Sequence, residues 1–407
     1  MPVLADVTPL RVSANFRRLF LGLNLAQFGQ QMTAVAVAIQ VYDLTNSSLA
    51  VGTVGIVMLV PMVLGGLYGG ALADVLDRRR LALVTALGLW VASLTLVVVT
   101  LAGVAHVGVL YVIVAVQALL FAVNSPTRSA IIPRLLEPSL IPSANALSGV
   151  GFNVGLTLGP MLGALLVAWQ GYAAAYATDA VLYLGALYAL LRLPPIPPTG
   201  DHANAGWKGV ADGLRYLRGN RVVLGSFVAD LIAMILASPR AVFPAVAGLF
   251  FGGGARTVGL LQSAPAVGAV IAMIFSGWLV HVRRHGVAVI IAIVCWGLAI
   301  AGFGLSGALV VGLLFLALAG AADSVSSVFR NTIMQVATPD GMRGRLQGVF
   351  IVVVAGGPRL GDFLAGSVAQ GLGPRVSLVA GGIACVLAIL AVARWFKPLT
   401  GYVSPER

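Results

Sequence analysis

Runs of about 20 apolar residues recur along the whole chain, each closed by a short polar gap. They begin near Phe16, Ala50, Leu81, Gly108, Ser143, Tyr172, Val222, Thr257, Val287, Ala308, Arg345 and Pro374. A bilayer core of about 30 Å takes about 20 residues of helix, so the pattern predicts an all-α membrane protein with twelve transmembrane helices. One long polar interruption falls near the middle. It divides the chain into a six-helix bundle over 1–192, a cytoplasmic linker over 193–221 and a second six-helix bundle over 222–407. The run Pro194-Pro195-Ile196-Pro197-Pro198 predicts an extended start to the linker. Trp207, Val210, Ala211 and Leu214 then recur at helical spacing, flanked by Lys208, Arg215 and Arg218. They predict an amphipathic helix on the membrane surface that tethers the two halves.

Composition removes the soluble alternatives. With 59% hydrophobic and 9% charged residues, there is too little polar surface to cover a particle of this size in water. The net charge of +12 would suggest nucleic acid in a soluble protein, but here the basic residues alternate by side of the membrane. One set of loops holds Arg17, Arg18, Arg78 to Arg80, Arg134, the linker cations, Arg283, Arg284, Arg343, Arg345, Arg394 and Lys397; the opposite set holds little more than Arg256 and Arg375. By the positive-inside rule both termini and the linker are expected on the cytoplasmic side of the inner membrane, with lipid and not nucleic acid as the partner. Residues 1–18 lack the apolar stretch and small-residue site of a signal peptide, so none is expected. Cys295 and Cys385 sit singly in apolar runs, and the four histidines are scattered. Neither disulfide, metal site nor cofactor is expected. No phosphate loop, nucleophile elbow or paired-carboxylate pattern is present, so an enzyme is not expected either.

The halves repeat. Gly159-Pro160-Met161-Leu162-Gly163 in the fifth helix is echoed by Gly357-Pro358-Arg359-Leu360-Gly361 in the eleventh, the internal symmetry of carriers that rock about a central site. Between helices 2 and 3, the run from Gly70 through Leu72, Asp74 and Asp77 to Arg78, Arg79 and Arg80 resembles the signature loop of the major facilitator superfamily. Val75 and Asp77 depart from that signature. Gly70 allows close helix approach, Asp74 suits a helix N-terminus, and the arginines suit lipid headgroups. The resemblance implies two pseudo-symmetric six-helix bundles and a loop that latches their cytoplasmic side; as topogenic charges the arginines need no such role. The corresponding loop of the second half, 277–284, is degenerate, with His281 in the acidic position. Gly155, Gly159, Pro160 and Gly163 resemble the antiporter motif of the superfamily's exporters, with Ala146 in place of its leading glycine. That resemblance implies export, a small-residue face against helix 8, and a bend at Pro160. Ala322-Asp323-Ser324-Val325, Phe329-Arg330, the run 338–345, Asn15 to Phe20 and Ser238 to Pro244 resemble the third drug:proton antiporter subfamily, which includes macrolide, multidrug and enterobactin exporters.

Carboxylates inside a membrane are costly and mark ion or proton pathways by default. Asp230 lies about 12 Å into helix 7, and Asp323 in helix 10 about 10 Å from Arg330. The resemblance makes helices 7 and 10 cavity-lining, so these two acids are the leading proton-coupling candidates. Asp362 is a third, with Arg359 one turn before it. The alternative is that Asp230 and Asp323 pair with Arg240, Arg330 or Arg359 and hold the second half together, while Arg359 neutralises Asp362. Asp179 is expected nearer the outside, on a peripheral helix. Polar groups suited to a substrate cavity are Asn24, Gln27 and Gln31 on one face of helix 1, Gln117 and Asn124 on helix 4 and Asn153 on helix 5, with Phe28 and Met234 as adaptable apolar lining. The reading is a monomeric exporter of small amphiphilic molecules, driven by a proton gradient in place of a cofactor. A dedicated siderophore exporter of the same subfamily is the alternative, and a non-transporting receptor on a carrier fold the further one.

Overall fold

The computed structural model describes residues 7–197, 215–336 and 340–402; within these, only the backbone is described at a few positions, including 70, 74 and 340–355. The amphipathic segment around Trp207 and Lys208 and the residues Thr338 and Pro339 lie outside the described residues. Long helices follow one another as α1 (Ala14–Thr45), α2 (Ser48–Val75), α3 (Arg78–Leu101), α4 (Val107–Ile131), α5 (Ile141–Gln170), α6 (Tyr172–Leu191), α7 (Arg221–Leu236), α8 (Ala255–Ile274), α9 (His285–Leu305), α10 (Leu309–Val336), α11 (Asp340–Leu372) and α12 (Pro374–Trp395). After a break at Ser238 and Pro239, α7 is continued by a short helix, Phe243–Leu249. No strand occurs among the described residues. Ten of the helical spans are long and apolar enough to cross a membrane. α1 is not among them, because Asn24, Gln27, Gln30 and Gln31 interrupt its middle.

Contacts divide the chain into two units: Met1–Leu44 with Val57–Gly206, and Trp207–Arg407 with Thr45–Ile56. The first unit is built around Leu19 and Ala26 of α1, Ala82, Ala86 and Leu89 of α3, Ile131 of α4, and Tyr183, Ala186 and Leu190 of α6. Leu193 and Ile196 join that core, so the start of the linker is docked on the first unit. Val84, Leu87, Val91 and Val98 stand exposed along α3. Apolar residues at helical spacing with no protein cover are a lipid-facing stripe. In the second unit Val223 and Phe227 of α7 pack with Leu217 and Met334, and Phe243 meets Phe303 edge to face at 5.9 Å. The first turns of α2 belong here too, with Ser47 Oγ donating to Gln370 Oε1 at 2.8 Å.

The internal repeat has a packing cause. A methyl group added to Gly163 would lie 2.6 Å from Met32 Cα, and one at Gly159 would lie 2.6 Å from Gln31 Cβ. The α5 glycines are therefore the groove that seats α1. In the second unit a methyl group at Gly357 would lie 3.2 Å from Met234 Cβ, and one at Gly361 would lie 2.9 Å from Ser238 Cβ, so α11 seats α7 in the same way. The turns that follow also match. Gly171 (φ 80°) joins α5 to α6 and Gly373 (φ 91°) joins α11 to α12, a left-handed conformation that a side chain would strain.

Candidate functional site

The second unit gathers the first pair of sequence-predicted acids on one cation. Asp323 and Arg330 lie two turns apart on one face of α10, and Asp230 reaches them from the middle of α7. The Arg330 guanidinium divides its fork: Nη1 donates to Asp230 Oδ1 in a close ion pair, and Nη2 lies 3.4 Å from Asp323 Oδ1. Arg330 and Asp230 are 9% and 4% exposed, whereas the Asp323 side chain is 38% exposed. Two carboxylates sharing one buried guanidinium are held unequally.

Asp362 forms a second cluster. It accepts from Ser238 Oγ at 2.6 Å and from the backbone N–H of Ala241, with the charges of Arg240 and Arg359 close by. For Asp362 the sequence pointed to Arg359 as the neutralising partner. The break in α7 adds the others, because Ser238, Arg240 and Ala241 all lie in it. Met234 packs on Gly357 of α11, one turn before this cluster.

The first unit redistributes the predicted cavity residues. Asn24, Gln27 and Gln31 do share a face, but that face runs along α5: a methyl group at Gly155 would touch Gln27 Cγ at 3.4 Å, and one at Gly151 would lie 2.9 Å from Asn24 Nδ2. Within this unit the α5 glycines therefore seat α1. Small residues every fourth position leave room for the α1 side chains, and Phe28 borders the same groove. Asn124 is corrected as well. It is 1% exposed, and its Nδ2 donates to Ala82 O at 3.0 Å and to Thr85 Oγ1 at 2.6 Å, which ties α4 to α3. Asn153 is exposed and donates to its own helix at Gly149 O, 2.8 Å.

Asp179, which the sequence left aside, is closely enclosed. It is 0% exposed, and its Oδ2 accepts from Thr33 Oγ1 of α1 at 2.8 Å and from Ser93 Oγ of α3 at 2.7 Å. Gln117 Nε2 of α4 lies 3.4 Å from Ser93 Oγ. Nearer the start of α6, Tyr176 donates to Gln40 Oε1 at 2.7 Å, and Tyr172 donates to Asp43. The signal was legible: Tyr172, Tyr176, Asp179 and Tyr183 recur three and four apart, one stripe of a helix.

In the signature loop, Gly70 and Asp74 lie outside the residues whose side chains are described. The departure at Asp77 has a clear role. Its Oδ1 accepts from Arg80 N at 2.9 Å, capping α3, and its Oδ2 accepts from Ile196 N at 2.8 Å. Arg78 N returns a bond to Ile196 O at 3.0 Å. Arg79 donates to Leu190 O at 3.1 Å and Leu191 O at 2.7 Å, a cation on the open carbonyls of the α6 C-terminus. Among the described residues no group of three or more His, Cys, Asp or Glu suited to a metal is found.

Apolar membrane helices with charge clusters confined to a few inner positions are the build of a transporter, and the fold is that of the major facilitator superfamily. A nucleoside transporter, NupG, superposes with a TM-score of 0.76 at 14% identity, covering 94% of this chain and 99% of that one. A peptide transporter of the POT family, solved with sulfate, gives 0.77 at 13% identity over 97% and 96%. At such identities the likeness is one of fold. The profile of the transmembrane secretion effector family matches residues 4–401, and the chain belongs to that family. Enterobactin exporter EntS of Citrobacter koseri is 26% identical over 402 residues, 99% of this chain and 96% of that protein. Its counterpart from Shigella boydii is 27% identical over 384 residues, 94% and 92%. The chain is thus a multi-span membrane transporter.

Proposed function

We propose that this transporter exports small amphiphilic molecules across the cytoplasmic membrane by alternating access, driven by proton entry. The observation that carries the coupling is the shared guanidinium of Arg330. With all three groups ionised the cluster holds one negative charge in excess, so a single proton neutralises it. Asp323 takes that proton, because its bond to Arg330 is the longer and its side chain the more exposed. Asp230 stays ionised as the anchor of the buried arginine. Substrate and proton favour opposite states of the carrier. Asp362, with Arg240 and Arg359, is the second charge cluster on the same route. Gly70, Asp74 and Arg78 to Arg80 serve as the cytoplasmic latch, and both termini lie inside, following the basic loops.

A siderophore is the second reading of the substrate. Relatives named as enterobactin exporters span nearly the whole chain, and an anionic iron chelator needs cations of the kind that Arg240 and Arg359 supply. Proteoliposomes decide between the two. Under an imposed pH gradient the wild type is expected to move a fluorescent cationic dye, and Asp323→Asn to lose that movement while still purifying as folded protein. Movement of a catecholate chelator without the dye selects the second reading. Movement of neither removes both, and equal dye movement by wild type and Asp323→Asn removes the coupling site.

A further inference from the structure

Asp179 is used by neither reading. Its Oδ2 touches two hydroxyls, Thr33 and Ser93, while its Oδ1 is buried without a hydrogen-bond partner. The neighbouring elements offer no cation to this carboxyl. α1 presents Thr33 and Gly29, and a methyl group at Gly29 would lie 2.8 Å from Asp179 Cα. α3 presents Ser93 and Trp90, whose indole N–H is committed to Ala180 O at 3.1 Å. α4 presents Gln117 and Arg128; the Arg128 charge bears on Tyr183, and its guanidinium lies over the Phe121 ring at 5.8 Å. On α6 the titratable neighbours are Tyr176 and Tyr183. No ion pair to Asp179 is found among the described residues.

An ionised carboxylate in such a place leaves one charged oxygen with nothing to bind, which is expensive in an apolar interior. The protonated acid resolves the network. Ser93 Oγ lies 3.2 Å from Leu89 O and can donate there, and it then accepts a hydrogen from Asp179 Oδ2. Thr33 donates to Oδ2, and Gln117 donates to Ser93 Oγ. Each of these hydrogens has an acceptor, and Oδ1 is left as an uncharged carbonyl oxygen, so no net charge is buried. A carboxylic acid kept neutral by its surroundings to donate a hydrogen bond is an established device.

We propose that Asp179 is a proton-binding site of the first unit, separate from the Asp230, Arg330 and Asp323 cluster, protonated while α1, α3 and α6 are packed together and discharged when Thr33 and Ser93 are drawn away. This does not depend on coupling at Asp323. Infrared spectroscopy of the purified protein tests it without transport. At mildly acidic pH, wild type is expected to show a protonated-carboxyl band that is missing from Asp179→Asn, and Ser93→Ala to shift that band by removing its acceptor. Raising the pH is expected to abolish the band. Should Asp179→Asn fail to fold, the Ser93→Ala shift and the pH titration carry the test alone. Loss of a carboxylate band instead of a carboxyl band in Asp179→Asn would overturn the proposal. So would a carboxyl band that no pH short of unfolding removes, since that acid never exchanges its proton.

Discussion

The two units bury a carboxylate in membrane helices and solve the problem in opposite ways. In the second unit Asp230 is matched by a guanidinium that is itself buried and also reaches Asp323. In the first, Asp179 is more deeply buried, yet only hydroxyls from two neighbouring helices meet it. A cation-paired acid keeps its charge and ties two helices electrostatically, so changing one member leaves the other stranded. A hydroxyl-bound acid carries no such obligation. The same residue type therefore has different consequences in the two units.

Breaking the pair gives the largest effect. Arg330→Gln leaves Asp230 buried without its cation, and removing one partner of a buried ion pair costs about 3–5 kcal/mol. Thermal unfolding in detergent is expected to fall sharply, and the added substitution Asp230→Asn to restore much of the loss, because the stranded charge is then gone. Restoration near zero would mean that Arg330 acts through packing. The glycine grooves sharpen the comparison where the units are alike. Gly163→Ala and Gly361→Ala each push a methyl group into a facing helix, and overpacking of that kind costs about 1–3 kcal/mol. Similar losses of thermal stability in both would show that the repeated motif is a packing device; a transport defect confined to Gly163→Ala would give α5 a role that α11 lacks. The smallest effect falls at the loops. α3 has a side-chain cap at Asp77, whereas α9, its counterpart, has none. Asp77→Ala is expected to lower stability by about 0.5–2 kcal/mol and to loosen Ile196, which limited proteolysis of the linker would report.

Much of this was legible in the chain. Asp230 and Asp323 were singled out by their depth in apolar runs together with the resemblance that makes helices 7 and 10 cavity-lining. That Arg330 would serve both was not readable. The spacing of Asp323 and Arg330 places them on one face of α10, but only the approach of α7 brings Asp230 to the same guanidinium. The face of α1 formed by Asn24, Gln27 and Gln31 was read from its period, and the structure adds that it runs along α5. Periodicity says which side chains point together, and it is silent on which helix they point at. The α5 glycines were read as a packing surface for the same reason, and the structure seats α1 on them. Asp179 was discounted because its helix was taken as peripheral, although its spacing from Tyr172, Tyr176 and Tyr183 already marked a stripe turned toward a neighbour.

The amino-acid sequence by itself determined that the chain is a membrane protein of long helices with two matching halves. Hydrophobic run length and charge asymmetry are properties of the chain and of the bilayer, and the glycine repeats carry the duplication. Only the tertiary structure decided how each buried charge is satisfied: a shared arginine for Asp230 and Asp323, the broken helix for Asp362, two hydroxyls for Asp179. Neutralisation inside a membrane acts over a few ångströms between side chains 86 to 146 residues apart in the case of Asp179. Such distances are set by which helices pack together, and a one-dimensional pattern does not contain them.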